Sequence, residues 1–256
     1  MRRSTLVILG AATCLVGVLP AAPAAAATPT CDGKPATIVA VPGVTTNGTP
    51  GADVIVGTAG PDTVNGNGGD DSICTLAGSD FVFAGDGKDR LFLGDGADVG
   101  WGENGDDLLD GDNGRDQLLG GPGKDLTFGG NDGDILTDGD SADAVYGNFG
   151  NDEIRILGAG TNGSFYGNDD NDTLRVLSGS DHGFIDGGPG DDRLEGGPGK
   201  DLLIGDGGSD LLFGSGGNDH LACDLLGGPQ GPADHADGGA GTDTVGGGCE
   251  TVVNVP

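Results

Sequence analysis

Every ninth residue from Asp53 to Asp152 is an aspartate. Laid out in nines from Gly48, the chain reads GTPGADVIV, GTAGPDTVN, GNGGDDSIC, TLAGSDFVF, AGDGKDRLF, LGDGADVGW, GENGDDLLD, GDNGRDQLL, GGPGKDLTF, GGNDGDILT, DGDSADAVY and GNFGNDEIR. The sixth place is held by Asp53, Asp62, Asp71, Asp80, Asp89, Asp98, Asp107, Asp116, Asp125, Asp134, Asp143 and Asp152, and the eighth is apolar except at Gly100 and Thr127. Ile156 and Leu157 then shift the register before GAGTNGSFY and GNDDNDTLR, and Val176 and Leu177 shift it again before SGSDHGFID, GGPGDDRLE, GGPGKDLLI, GDGGSDLLF and GSGGNDHLA. These units add Asp172, Asp192, Asp201, Asp210 and Asp219; an interruption at 223–237 precedes one last unit, GGAGTDTVG, with Asp243. A period this strict means a repeat architecture, in which each unit is stable only against its neighbours.

Within a unit the first six places are turn material, because Gly, Asn, Asp and Pro accept the sharp reversals and positive φ angles that other residues resist. The last three, polar, apolar, polar, have the alternation of a very short strand with one buried side chain. Two units make one coil, and stacked coils form two parallel sheets with Leu, Ile and Val meeting between them. The predicted fold class is all-β: a parallel β-roll, a right-handed β-helix-like solenoid, of roughly nine and a half coils at a spacing of about 4.8 Å.

Such a core is one side chain wide. It is too thin to offset the ordering of its loops in a chain with 57 glycines, the residue that loses most freedom on folding. The charge adds a second problem: 41 Asp or Glu stand against 11 Lys or Arg, a formal net charge of −30, with like charges stacked in register. That balance argues against nucleic acid and anionic lipid as partners. A hard cation resolves both difficulties. Carboxylates and turn carbonyls, about six to eight in a flexible array, suit Ca²⁺ better than the tight octahedron of Mg²⁺. The expected cofactor is therefore Ca²⁺, in multiple copies between loops stacked on the same side.

The units match G-G-x-G-x-D-x-U-x, and over residues 48–222 and 238–246 the chain resembles the haemolysin-type calcium-binding nonapeptide repeat of RTX proteins. The resemblance implies a parallel β-roll with Ca²⁺ held between loops, and the eighteen sixth-place aspartates named above as ligands together with loop carbonyls. Typical members carry such repeats beside a catalytic or pore-forming domain and leave the cell through an exporter that reads a C-terminal signal. This chain is expected to depart from that pattern, with an N-terminal signal and no second domain. Neither toxin or protease activity nor that export route is expected.

Residues 1–27 have the form of a secretory signal peptide: Arg2 and Arg3, an apolar run from Leu6 to Leu19, and a small-residue stretch from Ala21 to Ala27 with A-x-A cleavage sites. The mature chain is expected to be secreted, without membrane insertion, since no other stretch approaches about 18 apolar residues. Cys14 lies inside the apolar run; Cys31, Cys74, Cys223 and Cys249 permit three pairings in principle. The pairs Cys31–Cys74 and Cys223–Cys249 are favoured because they bracket the two ends of the array, where a solenoid needs caps. The expected division is signal 1–27, N-terminal cap 28–47, regular β-roll 48–155, β-roll with two irregular units 156–222, and an irregular loop, last repeat and cap 223–256.

Alternate units fall on opposite edges of the rod. Asp62, Asp80, Asp98, Asp116, Asp134, Asp152, Asp172, Asp192 and Asp210 follow one another without a break, whereas the edge that begins at Asp53 meets Gly163 and Gly183 at the sixth place before Asp201 and Asp219. A calcium-poor notch is expected there, filled by the longer loops, with Asp181 as a substitute ligand. No catalytic residue is expected. Only His182, His220 and His235 are available as neutral-pH bases, and neither G-x-S-x-G nor H-E-x-x-H occurs. The eleven basic residues look scattered rather than gathered in the groove that a calcium-dependent hydrolase or lyase needs. The expected function is a structural or interaction module. The alternative is an adhesin-like binder of glycan or protein through the irregular units and the ninth-place aromatics Phe83, Phe92, Trp101, Phe128, Tyr146, Tyr166 and Phe213, which otherwise stack as ladders that tighten the sheets.

Overall fold

Residues one coil apart lie side by side: Ile73 pairs with Leu91 and Leu91 with Leu109, while on the opposite wall Val64 pairs with Val82 and Gly100 with Leu118, all in parallel register. The structure, a computed structural model, describes residues 27–137, 139, 143–157, 163–178, 181–224 and 234–255. The signal-like residues 1–26, most of the irregular loop at 158–163, and the side chains of Asp181 and His182 lie outside that set. Among the described residues there is no helix, and about eleven turns of parallel β-solenoid are built from one sheet of fourteen strands and one of twelve. Eighth-place side chains from both walls, Ile55, Ile73, Leu91 and Leu109 against Val64, Val82, Leu118 and Leu136, make one continuous buried core. Gly100 leaves no hole in it. A Cβ built there would meet Leu93 Cδ1 at 3.0 Å and Leu118 Cδ2 at 3.2 Å, because Leu93, a first-place residue, turns inward.

The strands run longer than the three places read from the sequence. Thr63–Gly68, Phe81–Asp86, Val99–Asn104 and Leu108–Asn113 continue through the first three places of the next unit. Loops on one edge stack at the strand spacing, so the ladder carries on through a second place held at positive φ: Glu103 (φ 68°) pairs with Gly85, and Asp112 (φ 71°) with Gly130.

The ends belong to the same two sheets. Ile38–Val39 pairs with Val54–Val56 and Thr46–Asn47 with Thr63–Gly68, while His235–Asp237 and Thr251–Val253 extend the second sheet at the far end. This raises the turn count above nine and a half. The interruption 223–237 thus contains a strand, and His235 stands on it with its ring tilted toward Phe213 rather than in a loop.

Both expected disulfides, Cys31–Cys74 and Cys223–Cys249, are present. The second spans a sequence separation of 26, for which the chain-entropy relation gives about 3.5 kcal/mol. Replacing Cys223 and Cys249 together by serine is expected to cost about that much in calcium-saturated denaturant unfolding; an unchanged midpoint would contradict this.

In the irregular region Ile156 and Val176 prolong the strands Glu153–Ile156 and Thr173–Val176 and enter the core, while Leu157 and Leu177 remain exposed. Phe165 shares that core and is the largest fully buried side chain among the described residues. Three of the ninth-place aromatics stack as a ladder: Phe128, Tyr146 and Tyr166 lie 5.2 and 4.8 Å apart with planes within 18° and 4°. Phe83 meets Trp101 edge-on at 4.8 Å. The basic residues are less scattered than the sequence suggests. Arg155, Arg175 and Arg193 occupy three consecutive layers of the second sheet's outer face, paired with Glu153 and Glu195, and Arg193 also lies 4.5 Å over the Phe213 ring.

Candidate metal centre

The sixth-place aspartates are joined from layer to layer by their own side chains. The backbone N–H of each donates to Oδ1 of the aspartate one coil later, as from Asp98 to Asp116 and from Asp116 to Asp134, both at 2.8 Å. On one edge these bonds run unbroken from Asp62 through Asp80, Asp98, Asp116, Asp134, Asp152, Asp172 and Asp192 to Asp210 at 2.7–2.9 Å. On the other they join Asp53, Asp71, Asp89, Asp107, Asp125 and Asp143, then Asp201, Asp219 and Asp243. All eighteen aspartates singled out in the sequence lie on these two ladders, and all are buried.

Two rungs were missed. Asp210 donates to Asp234 Oδ1 at 2.9 Å, and Asp234 donates to Glu250 Oε2 at 2.8 Å, so the unbroken edge gains two carboxylates. Asp234 is hidden by the six-residue lengthening of its coil. Glu250 is legible once Glu is accepted for Asp, since Gly248, Glu250 and Val252 stand at the fourth, sixth and eighth places.

The broken edge has a physical cause. A Cβ on Gly163 would lie 2.5 Å from Phe165 Cζ, so the aromatic ring fills the space in which an aspartate side chain would begin. Among the described residues this ladder stops at Asp143 and resumes at Asp201.

On most rungs from Asp71 onward the second carboxylate oxygen is the unusual atom. Oδ2 of Asp71, Asp80, Asp89, Asp98, Asp107 and Asp116 is buried with no hydrogen-bond partner, and the same holds for Asp134, Asp152, Asp172, Asp192, Asp210, Asp234 and Asp243. A buried carboxylate in that position needs a proton or a cation. Burial, reinforced by the Asp134 and Asp98 charges and opposed by the Asp98 N–H, pushes the Asp116 carboxyl up to about 8. Burial likewise raises Asp172 to about 8 and Asp107 and Asp134 to about 7.

Where the first place is glycine, as at Gly66, Gly102, Gly111 and Gly129, it opens the space beside this oxygen. A Cβ on Gly102 would sit 2.5 Å from both Asp107 Oδ2 and the carbonyl oxygen of Gly120, one coil on. A carboxylate and a carbonyl oxygen thus face one small volume, which fits a hard cation. Among the described residues no three His, Cys, Asp or Glu side chains converge on a point, so such a cation would draw on backbone carbonyls. Asp53 and Asp62, the first rungs, differ: their oxygens are bonded by threonines.

The family model of the RTX calcium-binding nonapeptide repeat matches residues 47–82, 75–100, 94–127, 101–136, 128–155, 158–182 and 186–221. The chain belongs to this family. RTX repeats bind calcium, the cation that the oxygen-only environment of the ladder suits. Comparison with curated proteins found no match. The RTX segments stop at 221, whereas the carboxylate ladders continue to Asp243 and Glu250.

Proposed function

We propose that the chain is an exported structural or interaction module whose β-roll is folded by multiple Ca²⁺ ions between stacked loops. The observation that carries this reading is the row of buried Oδ2 atoms without partners, each on a carboxylate raised in pKa or held beside another carboxylate. The sixth-place aspartates from Asp71 onward other than Asp201, with Asp234 and Glu250, would hold the ions together with loop carbonyls. Bound calcium supplies the positive charge that the ladders lack. The N–H of each rung fixes Oδ1 of the next, and in units that begin with glycine Oδ2 faces the space that the glycine opens.

A site with a dissociation constant near 10⁻⁴ M adds about 1.4 kcal/mol at millimolar Ca²⁺, so ten such sites add on the order of 14 kcal/mol, comparable with a whole domain's stability. Export is supported by the signal-like residues 1–27 and by two disulfides, which persist in oxidising compartments. Among the described residues no helix is long and apolar enough to cross a membrane. The face-to-face stacking of Phe128, Tyr146 and Tyr166 favours sheet tightening over a sugar-binding face, because the rings cover one another.

Calorimetric Ca²⁺ titration of mature chain, with circular dichroism in parallel, tests the reading. About ten or more sites, filling as the β signal grows, are expected; two or three sites with no structural change would overturn it.

A further inference from the structure

Asp53 and Asp62 begin the two ladders, and no aspartate precedes either to donate to its Oδ1. Their carboxylates close on their own loops instead. Asp53 Oδ2 accepts the N–H of Thr49 at 2.6 Å and its hydroxyl at 2.9 Å, and Oδ1 accepts the Thr37 hydroxyl at 3.2 Å. Asp62 Oδ2 accepts the N–H of Thr58 at 2.6 Å, and Oδ1 accepts the Thr58 hydroxyl at 3.3 Å. Each of the two loop hydroxyls also accepts an N–H, Thr49 from Gly51 and Thr58 from Gly60, both at 3.2 Å.

Thr49 and Thr58 occupy the second place of their units, and backbone conformation there separates two kinds of loop. In the next eight units that place is left-handed, from Asn67 (φ 77°) and Leu76 (φ 77°) to Gly130 (φ 119°). Neither threonine has positive φ, in keeping with the resistance of β-branched residues to that region. In the units of Asp71, Asp80, Asp89, Asp98, Asp107, Asp116 and Asp134 the left-handed second place turns its N–H away and Oδ2 stays unmatched. Where that place is not left-handed, the N–H bonds the aspartate of its own loop. Asp201, the first aspartate after the two glycine rungs, follows the same rule: its Oδ2 accepts the N–H of Gly197 at 2.8 Å, and Gly197 also lacks positive φ.

We infer that the first rung of each ladder takes no cation, threonine serving in its place, so that the N-terminal coil tied by Cys31–Cys74 folds without metal and templates the calcium-dependent coils that follow. This rests on the calcium reading above. Repeat arrays propagate from whichever unit is already formed, and a metal-free first coil fixes that point at the N-terminal end.

Hydrogen exchange of disulfide-intact mature chain in excess EDTA at neutral pH tests the inference. Amides in 54–56 and 63–74 are expected to exchange at least about tenfold more slowly than those in 108–137, a contrast that is absent with calcium. Uniform loss of protection would overturn this inference alone; uniform retention would overturn the calcium-dependent folding and this inference with it. Metal content gives a second readout. Asp62→Asn should leave the number of bound Ca²⁺ unchanged, whereas Asp116→Asn should lower it by at least one; a loss of one ion in Asp62→Asn would contradict the assignment even if Asp116→Asn fails to fold.

Discussion

Gly105→Ala is expected to destabilise the calcium-saturated rod by on the order of 4 kcal/mol, at the upper end of single-substitution effects. Gly105 stands at the fourth place of its loop with φ 148°, and a Cβ there would overlap the carbonyl oxygen of Gly87 in the loop one coil earlier. Two costs combine, since alanine resists that φ and the neighbouring loop cannot retreat without breaking the ladder of strands beside it. The matched control is Gly207→Ala, at a third place where φ is ordinary and nothing lies within 4 Å. That change should be neutral or stabilise by up to about 1 kcal/mol through the unfolded chain. Denaturant unfolding of both variants decides the matter, and equal midpoints would contradict the packing argument.

The second large effect is a reversal of pH dependence by calcium. In the folded metal-free chain, burial holds Asp116 and Asp172 near 8 and Asp107, Asp134, Asp192 and Asp210 near 7, all above the ordinary 3.8. The folded state therefore binds protons more tightly than the unfolded one. The resulting stability is fully present below about pH 4 and is lost progressively as pH rises to about 8. With a chelator present, the thermal midpoint should fall between about pH 5 and about pH 8. With calcium the sign inverts, because the ion and the proton compete for the same oxygens: affinity should rise over that window, with protons released on binding. Titrations in buffers of different ionisation heat measure both, and a pH-independent affinity without proton release would contradict the ladder as the binding element.

Much of this was legible in the sequence because the repeat encodes it more than once. The nine-residue interval fixes the sixth-place column, alternation of units fixes the two edges, and Gly163 and Gly183 mark where one edge breaks. The disulfides followed from the need to secure the ends. Other features depend on neighbours across the stack and carry no local signal. The second place reads as a turn, yet it extends the strands because the loop one coil away is already spaced to pair with it. Asp234 lies outside the motif's count because its coil is six residues longer, and Glu250 because the motif specifies Asp. Thr49 and Thr58 look like ordinary turn residues until their φ shows that β-branching has closed the loop on its own carboxylate. The alignment of Arg155, Arg175 and Arg193 emerges only when the two-residue shifts are stacked.

The most direct test is small-angle scattering with far-ultraviolet circular dichroism on metal-stripped mature chain at about pH 8, before and after millimolar calcium. A large, reversible gain of compactness and β signal on adding calcium is predicted, with only the N-terminal coil ordered beforehand. A stripped chain that is already rod-shaped and unfolds cooperatively, with no ion bound, would contradict the account.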